Sequence, residues 1–307
     1  MINKFKNIFI LLVLITILIF FILNPTLVIN NFTKNMNSFI NNVFPSLFLF
    51  FLLIDLLLAF NFITVLKKLF AFPVKKLFHL DKNSSFILFI SLFSGFPSGS
   101  KYITKLLNKK MISLESANTL ITYTHFGNIA FILGTIGPIL NKRITSIVLI
   151  CHVLSNLIIA FIIRPKEIIN EKEVDKQVSA SFTDILSTSI ISNTKIIIII
   201  FGTMIFFSTI SLIFSAIIPL NNYQNTLLCG ILDLSSGIIS LNNLSIPLFY
   251  KGLLSLIFIS FGSLSVHMQV RILLKNTKIK YIYFLLGRIS QTALSISLFL
   301  LIYWCFY

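Results

Sequence analysis

The residues best placed to do chemistry crowd into one stretch, "SLFSGFPSGSKYITK" (91–105). Gly95, Pro97 and Gly99 break the helix that precedes them, and Ser94, Ser98 and Ser100 place hydroxyl donors beside Lys101. Backbone at membrane depth must satisfy its own hydrogen bonds, so a broken helix is tolerated where it is buried in protein or lines a watery cavity. A helix restarting near Ser98 would aim free N–H groups and the positive end of its dipole at that place, which favours an anion. Lys101 adds a full charge there. The competing account is structural: a helix–loop junction whose lysine reaches back to the headgroups.

A second stretch, "TLLCGILDLSSGIISL" (226–241), sets Asp233 in front of Ser235, Ser236 and Gly237. An ionisable residue at membrane depth marks a functional site by default. Asp233 suits taking a proton, holding a cation or pairing with Lys101; the plain alternative is a lip residue facing water. Each stretch is followed by further polar positions. They are His125, Gly127 and Asn128 after the first, and Gly262, Ser263, Ser265, His267 and Gln269 after the second. Spacings of three or four can put such groups on one helix face, where they serve a solute or simply join helices. Asp55 and Arg288 are candidates for a buried structural pair.

The elements that must carry these residues are membrane helices. The chain has 307 residues, 56% hydrophobic and only 11% charged, with a mean hydropathy of +0.96. Runs of about 20 apolar residues read as spans, drawn at 8–29, 43–63, 117–138, 144–163, 195–219, 253–270 and 281–303. The runs at 86–96 and 226–241 are too short or too interrupted to cross and read as re-entrant. The expected fold is therefore all-α and polytopic, with about seven transmembrane helices plus two re-entrant hairpins.

Charge tests that arrangement. Lys plus Arg exceed Asp plus Glu by 25 to 9, for a net +16. With the N-terminus inside, nearly all the cations fall in inner loops, as the positive-inside rule requires. The excess is thus a membrane signature and not one of nucleic-acid binding. The lipid bilayer is the expected partner, with a homo-oligomer left open. The segment 65–79 reads as an interfacial piece broken at Pro73, and 164–194 as a cytoplasmic linker. The apolar run at 8–23 has no A-x-A-like cleavage site after it and reads as an uncleaved first helix.

Several chemistries have no motif. There is no Walker loop and no HExxH, and Cys151, Cys229 and Cys305 form no metal-spaced cluster. No cofactor or metal is expected. A Ser98–His125 protease dyad lacks a convincing nucleophile motif, so the chain does not read as an enzyme.

The halves echo one another. "SGFPSG" (94–99) matches "LDLSSG" (232–237), and "HFGNIAF" (125–131) matches "SFGSLSV" (260–266). Glycines recur at similar distances, Gly99 to Gly127 and Gly237 to Gly262. With the topology above, the halves form an inverted repeat, an architecture of secondary transporters. The expected division is 1–42, an N-terminal helix and outer loop; 43–163, the first repeat; 164–194, the linker; and 195–307, the second, inverted repeat.

These stretches, with "FPSLFLFFLLIDLL", "NKKMISLESANTLITYTHFGNIAFILGTIG" and "ISFGSLSVHMQV", resemble the YlbJ (SpoVV) family of sporulation integral membrane proteins, among the nucleoside-recognition (Gate) domain membrane proteins. The resemblance runs from about 43 to 300. The chain departs from the family in "THFGN" and in having Asp at 233 where Glu is expected. The resemblance implies a transporter of dipicolinic acid, a small aromatic dicarboxylate, in the outer forespore membrane. The residues alone imply a small, anionic solute. Two alternatives stay open: a nucleoside or other polar-metabolite transporter, and a non-transporting scaffold for spore assembly.

Overall fold

The computed structural model describes residues 2–60, 76–165 and 181–306, and in them every regular element is helical. Thirteen helices matter here. They are α1 (Ile2–Leu23), α2 (Pro25–Ser38), α3 (Phe44–Ala59), α4 (Lys82–Ser94), α5 (Ser98–Asn108), α6 (Leu114–Tyr123) and α7 (Lys142–Ile162). Then come α8 (Phe182–Ile217), α9 (Asn222–Leu232), α10 (Leu234–Asn242), α11 (Leu248–Phe261), α12 (Leu264–Leu274) and α13 (Tyr281–Phe306). The interfacial piece expected at 65–79 and the acidic part of the linker at 164–194 fall largely outside the described residues. The end of that linker is helical and continuous with α8.

The number of crossings differs from the sequence expectation of seven spans and two re-entrant hairpins. Among the described residues four helices are long and apolar enough to cross a membrane: Lys142–Ile162, Phe182–Ile217, Leu248–Leu274 and Tyr281–Cys305. A fifth is gained if the pair Asn7–Leu23 and Pro25–Asn41, bent by 104°, is one broken span. Among the described residues this bent pair is the re-entrant-like feature, and it lies at neither expected hairpin.

The causes are local. The first apolar run breaks at Asn24, before Pro25, whose ring removes an N–H donor. The chain then continues as helix α2 in place of the expected outer loop. Helix α3 has 16 residues, about 24 Å at 1.5 Å per residue, short of a hydrocarbon core of about 30 Å. The expected span 117–138 ends as a helix at Tyr123, and residues 124–128 are not helical. It resumes as a short helix of mixed α, π and 3-10 turns from Ile129 to Ile139, too short to cross.

Polar side chains set many helix starts. Asp81 accepts from the amides of Asn83 and Ser84 at the head of α4, and Asn141 from Ile144 at the head of α7. Asn221 and Gln224 form a capping box at α9. Helix α13 packs on α6, α7 and α11, while α8 packs on α2, α3 and α12. One apolar cluster gathers Ile87, Ile90, Tyr102, Leu120 and Phe284 around α4 to α6. Another gathers Val148, Ile238, Leu256 and Phe299 around α7, α10, α11 and α13.

Candidate functional site

Two short helix pairs carry the breaks. Helices α4 and α5 pack together across Gly95, Phe96 and Pro97. Gly95 has φ +73, and a Cβ there would collide with the backbone of Asn128. That position therefore demands glycine twice, by conformation and by space. Helices α9 and α10 fold back across Asp233 alone, so closely that a Cβ on Gly237 would strike Gly230. Asp233 caps α10: its Oδ2 accepts from the Ser236 amide and hydroxyl, both at 2.9 Å.

A small cavity lies where these breaks meet. Phe96, Asn128 and Phe131 line one side, and Asp233, Leu234, Ser235, Ser265, Val266 and Gln269 another. Val43, Leu47, Ile200 and Met204, from the start of α3 and from α8, complete the wall. The predicted residues Asn128, Asp233, Ser235, Ser265 and Gln269 thus converge on one space. The apolar liners and Phe96 were not foreseen, because in sequence they look like any lipid-facing or core position.

Other predicted residues stand behind the wall. Ser94 Oγ donates to the Ile90 carbonyl at 2.9 Å, while its own carbonyl accepts from Asn128 Nδ2 at 3.3 Å. Pro97 occupies the cap position of α5, Ser98 Oγ is buried without a partner, and Gly99 lies against the Thr124 carbonyl. Gly127 donates its amide to His152 Nε2 at 2.7 Å. Gly262, at φ +76, closes α11 in the left-handed region. Ser263 Oγ donates to the Gly230 carbonyl at 2.5 Å. His267 contacts the Tyr281 hydroxyl at 2.6 Å through Nδ1 and the Phe261 carbonyl at 3.0 Å through Nε2.

Ser100 Oγ lies 2.7 Å from His125 Nε2. This is the serine–histidine contact that occurs, in place of Ser98 with His125. Neither residue lines the cavity. The pair joins α5 to the unwound segment.

Lys101 does not line the cavity. Its Nζ donates to Asp55 Oδ2 at 3.0 Å, Asn193 Oδ1 at 2.7 Å and the Tyr102 hydroxyl at 3.1 Å. It also sits 4.5 Å from the centre of the Phe51 ring. Lys105 donates to the other oxygen of Asp55 at 2.7 Å. The Asp55 carboxylate therefore serves two lysines, and the expected Asp55–Arg288 pair does not form.

Arg288 instead holds the unwound segment. It donates to the His125 carbonyl at 2.8 Å, the Thr122 carbonyl at 3.2 Å and Asn156 Oδ1 at 3.2 Å, and it also bonds Gln291 Oε1. Asn156 Nδ2 adds a second bond to the His125 carbonyl at 3.2 Å. The carbonyls freed where α6 unwinds are thus satisfied by α7 and α13, as backbone inside a bilayer must be.

Among the described residues no group of three or more His, Cys, Asp or Glu is placed to hold a metal ion.

Long apolar helices around a polar interior built at helix breaks define a polytopic all-α membrane protein. The chain is similar to "Sporulation integral membrane protein YlbJ" of Bacillus subtilis (strain 168), with 22% identity over 303 residues, 85% of this chain and 74% of that protein. This is distant homology to the YlbJ sporulation membrane proteins. No family model matches the chain, and no solved structure matches it at a significant level.

Proposed function

We propose that the chain is a membrane carrier for a small anionic metabolite, and that dipicolinate crossing the outer forespore membrane is its specific case. The observation that carries this reading is the cavity at the meeting of the breaks. Its lining joins apolar faces from Phe96, Phe131, Ile200 and Met204 to the polar edges of Asn128, Ser235, Ser265 and Gln269. That mixture suits a flat ring carrying polar groups on its rim. Distant homology to a sporulation membrane protein supports the setting.

In this reading the division at 43–163 and 195–307 has a purpose: each part supplies one break to the solute. Movement of α4–α5 or α9–α10 opens the cavity to one side at a time. Lys101 exchanges the Asp55 carboxylate for that of the solute during this movement, and Asp233 keeps the opposite wall in register. The N-terminus is cytoplasmic. A nucleoside also has a flat ring with polar edges, and a charge-blind site would take it equally well.

The test is uptake by reconstituted vesicles, with dipicolinate and nucleosides compared side by side. Saturable dipicolinate uptake that nucleosides do not inhibit is expected. Vesicles that pass neither solute, with the protein folded and inserted, would favour a scaffolding role.

A further inference from the structure

The charge on Arg288 is larger than its bonding requires. The residue is 1% exposed. All its acceptors are neutral: the carbonyls of Thr122, His125 and Ser260, and the side-chain oxygens of Asn156 and Gln291. Among the described residues no carboxylate accepts from it. Asp55 is engaged by Lys101 and Lys105, and Asp233 is directed at the first turn of α10.

A clamp on free carbonyls needs donors and nothing more. A neutral amide would supply them without the cost of burying an unpaired cation, which is far higher than that of a hydrogen-bonded neutral group. The neighbouring amide does such work already: Gln291 Nε2 donates to the His152 carbonyl at 3.0 Å, and His152 Nε2 receives the Gly127 amide. What the guanidinium adds is a field that solvent does not screen. The clamped carbonyls at 122 and 125 belong to the segment that ends at Asn128, and Asn128 lines the cavity.

We propose that Arg288 sets the charge preference of the cavity, acting through space from behind the unwound segment at 124–128. It is a positioning and selectivity residue that touches no solute. The inference rests on the reading of the cavity as a solute site, and it deepens that reading by naming what makes the site prefer an anion. Arg288 acts in addition to Lys101, which in the resting arrangement shares the Asp55 carboxylate with Lys105.

The experiment compares two probes of the same shape, dipicolinate and its neutral diamide, in vesicles holding the full chain. Wild-type protein is expected to favour the dianion. Arg288→Gln is expected to lower the dianion-to-diamide uptake ratio about tenfold whatever the total uptake, and Arg288→Lys to keep most of the preference. Gln291→Glu places a counter-charge against the intact arginine and should mimic Arg288→Gln; it reads the field even if the arginine variants fold poorly. A ratio unchanged in both Arg288→Gln and Gln291→Glu, with total uptake reduced, would make Arg288 a clamp only and overturn the inference. If the wild type moves neither probe, the transport reading fails and this inference with it.

Discussion

Lys101 Nζ lies 3.0 Å from Asp55 Oδ2, and the two side chains are 6% and 2% exposed. The pair ties α5 to α3, and Asn193 ties both to α8. Breaking one side of a buried pair is costly because the other charge is left unpaired, about 3–5 kcal/mol. The two partners are not equivalent, however, since Lys105 holds Asp55 as well. Asp55→Asn strands two cations, whereas Lys101→Met leaves the carboxylate with Lys105. Asp55→Asn is therefore expected to lower the melting temperature in detergent more than Lys101→Met does. Equal losses would mean that Lys105 contributes nothing to holding Asp55.

Lys101→Met also separates structure from transport. If the lysine exchanges partners during the cycle, this variant should insert normally yet lose most dipicolinate uptake and leave spores poor in dipicolinate. Normal uptake at normal protein levels would confine Lys101 to a structural role.

The glycines offer a sharper contrast. Gly95→Ala must accept φ +73 and a Cβ against the Asn128 backbone. Left-handed backbone costs about 1–2 kcal/mol, and overpacking about 1–3 kcal/mol more. A Cβ on Gly134 meets nothing within 4 Å, so Gly134→Ala is expected to be neutral or slightly stabilising. Thermal unfolding of the two variants in one detergent measures the difference.

The breaks were legible in the sequence, and their partners were not. Gly95, Pro97 and Gly99 announce an interruption by residue type, and Asp233 by its charge in an apolar run. The partner of Lys101 is 46 residues away in one direction and 92 in the other, distances at which sequence pattern is silent. The span count failed for the same reason. Hydropathy reads 117–138 as one apolar helix, yet Arg288, His152 and Asn156 stabilise an unwound backbone at its centre. Tertiary partners supplied the alternative to helix that local composition concealed. The apolar half of the cavity, Ile200 and Met204 among it, was hidden because such residues face lipid, core or solute with equal ease.

Asp233 has a capping role that its charge obscures. Asn also caps well, since its side-chain oxygen can accept from the same amide, whereas Ala cannot. Asp233→Asn is expected to leave stability within a few tenths of a kcal/mol, and Asp233→Ala to cost about 1 kcal/mol. Uptake by the asparagine variant then reports on the charge alone. Unimpaired uptake would show that the carboxylate serves the helix and not the transport cycle.

The cavity itself can be probed through its wall. Cys151 and Cys229 are buried and Cys305 is exposed, so Cys305→Ser gives a background quiet to a water-soluble maleimide. Ser265→Cys or Ser235→Cys in that background adds one thiol to the cavity lining. If water and solute enter there, each thiol should be modified from solution, and dipicolinate should slow the modification. A thiol at position 255 serves as the control, because Ser255 is fully buried outside the lining. Labelling at 265 no faster than at 255 would mean a closed, dry interior, and the broken helices would then be packing features without a solute between them.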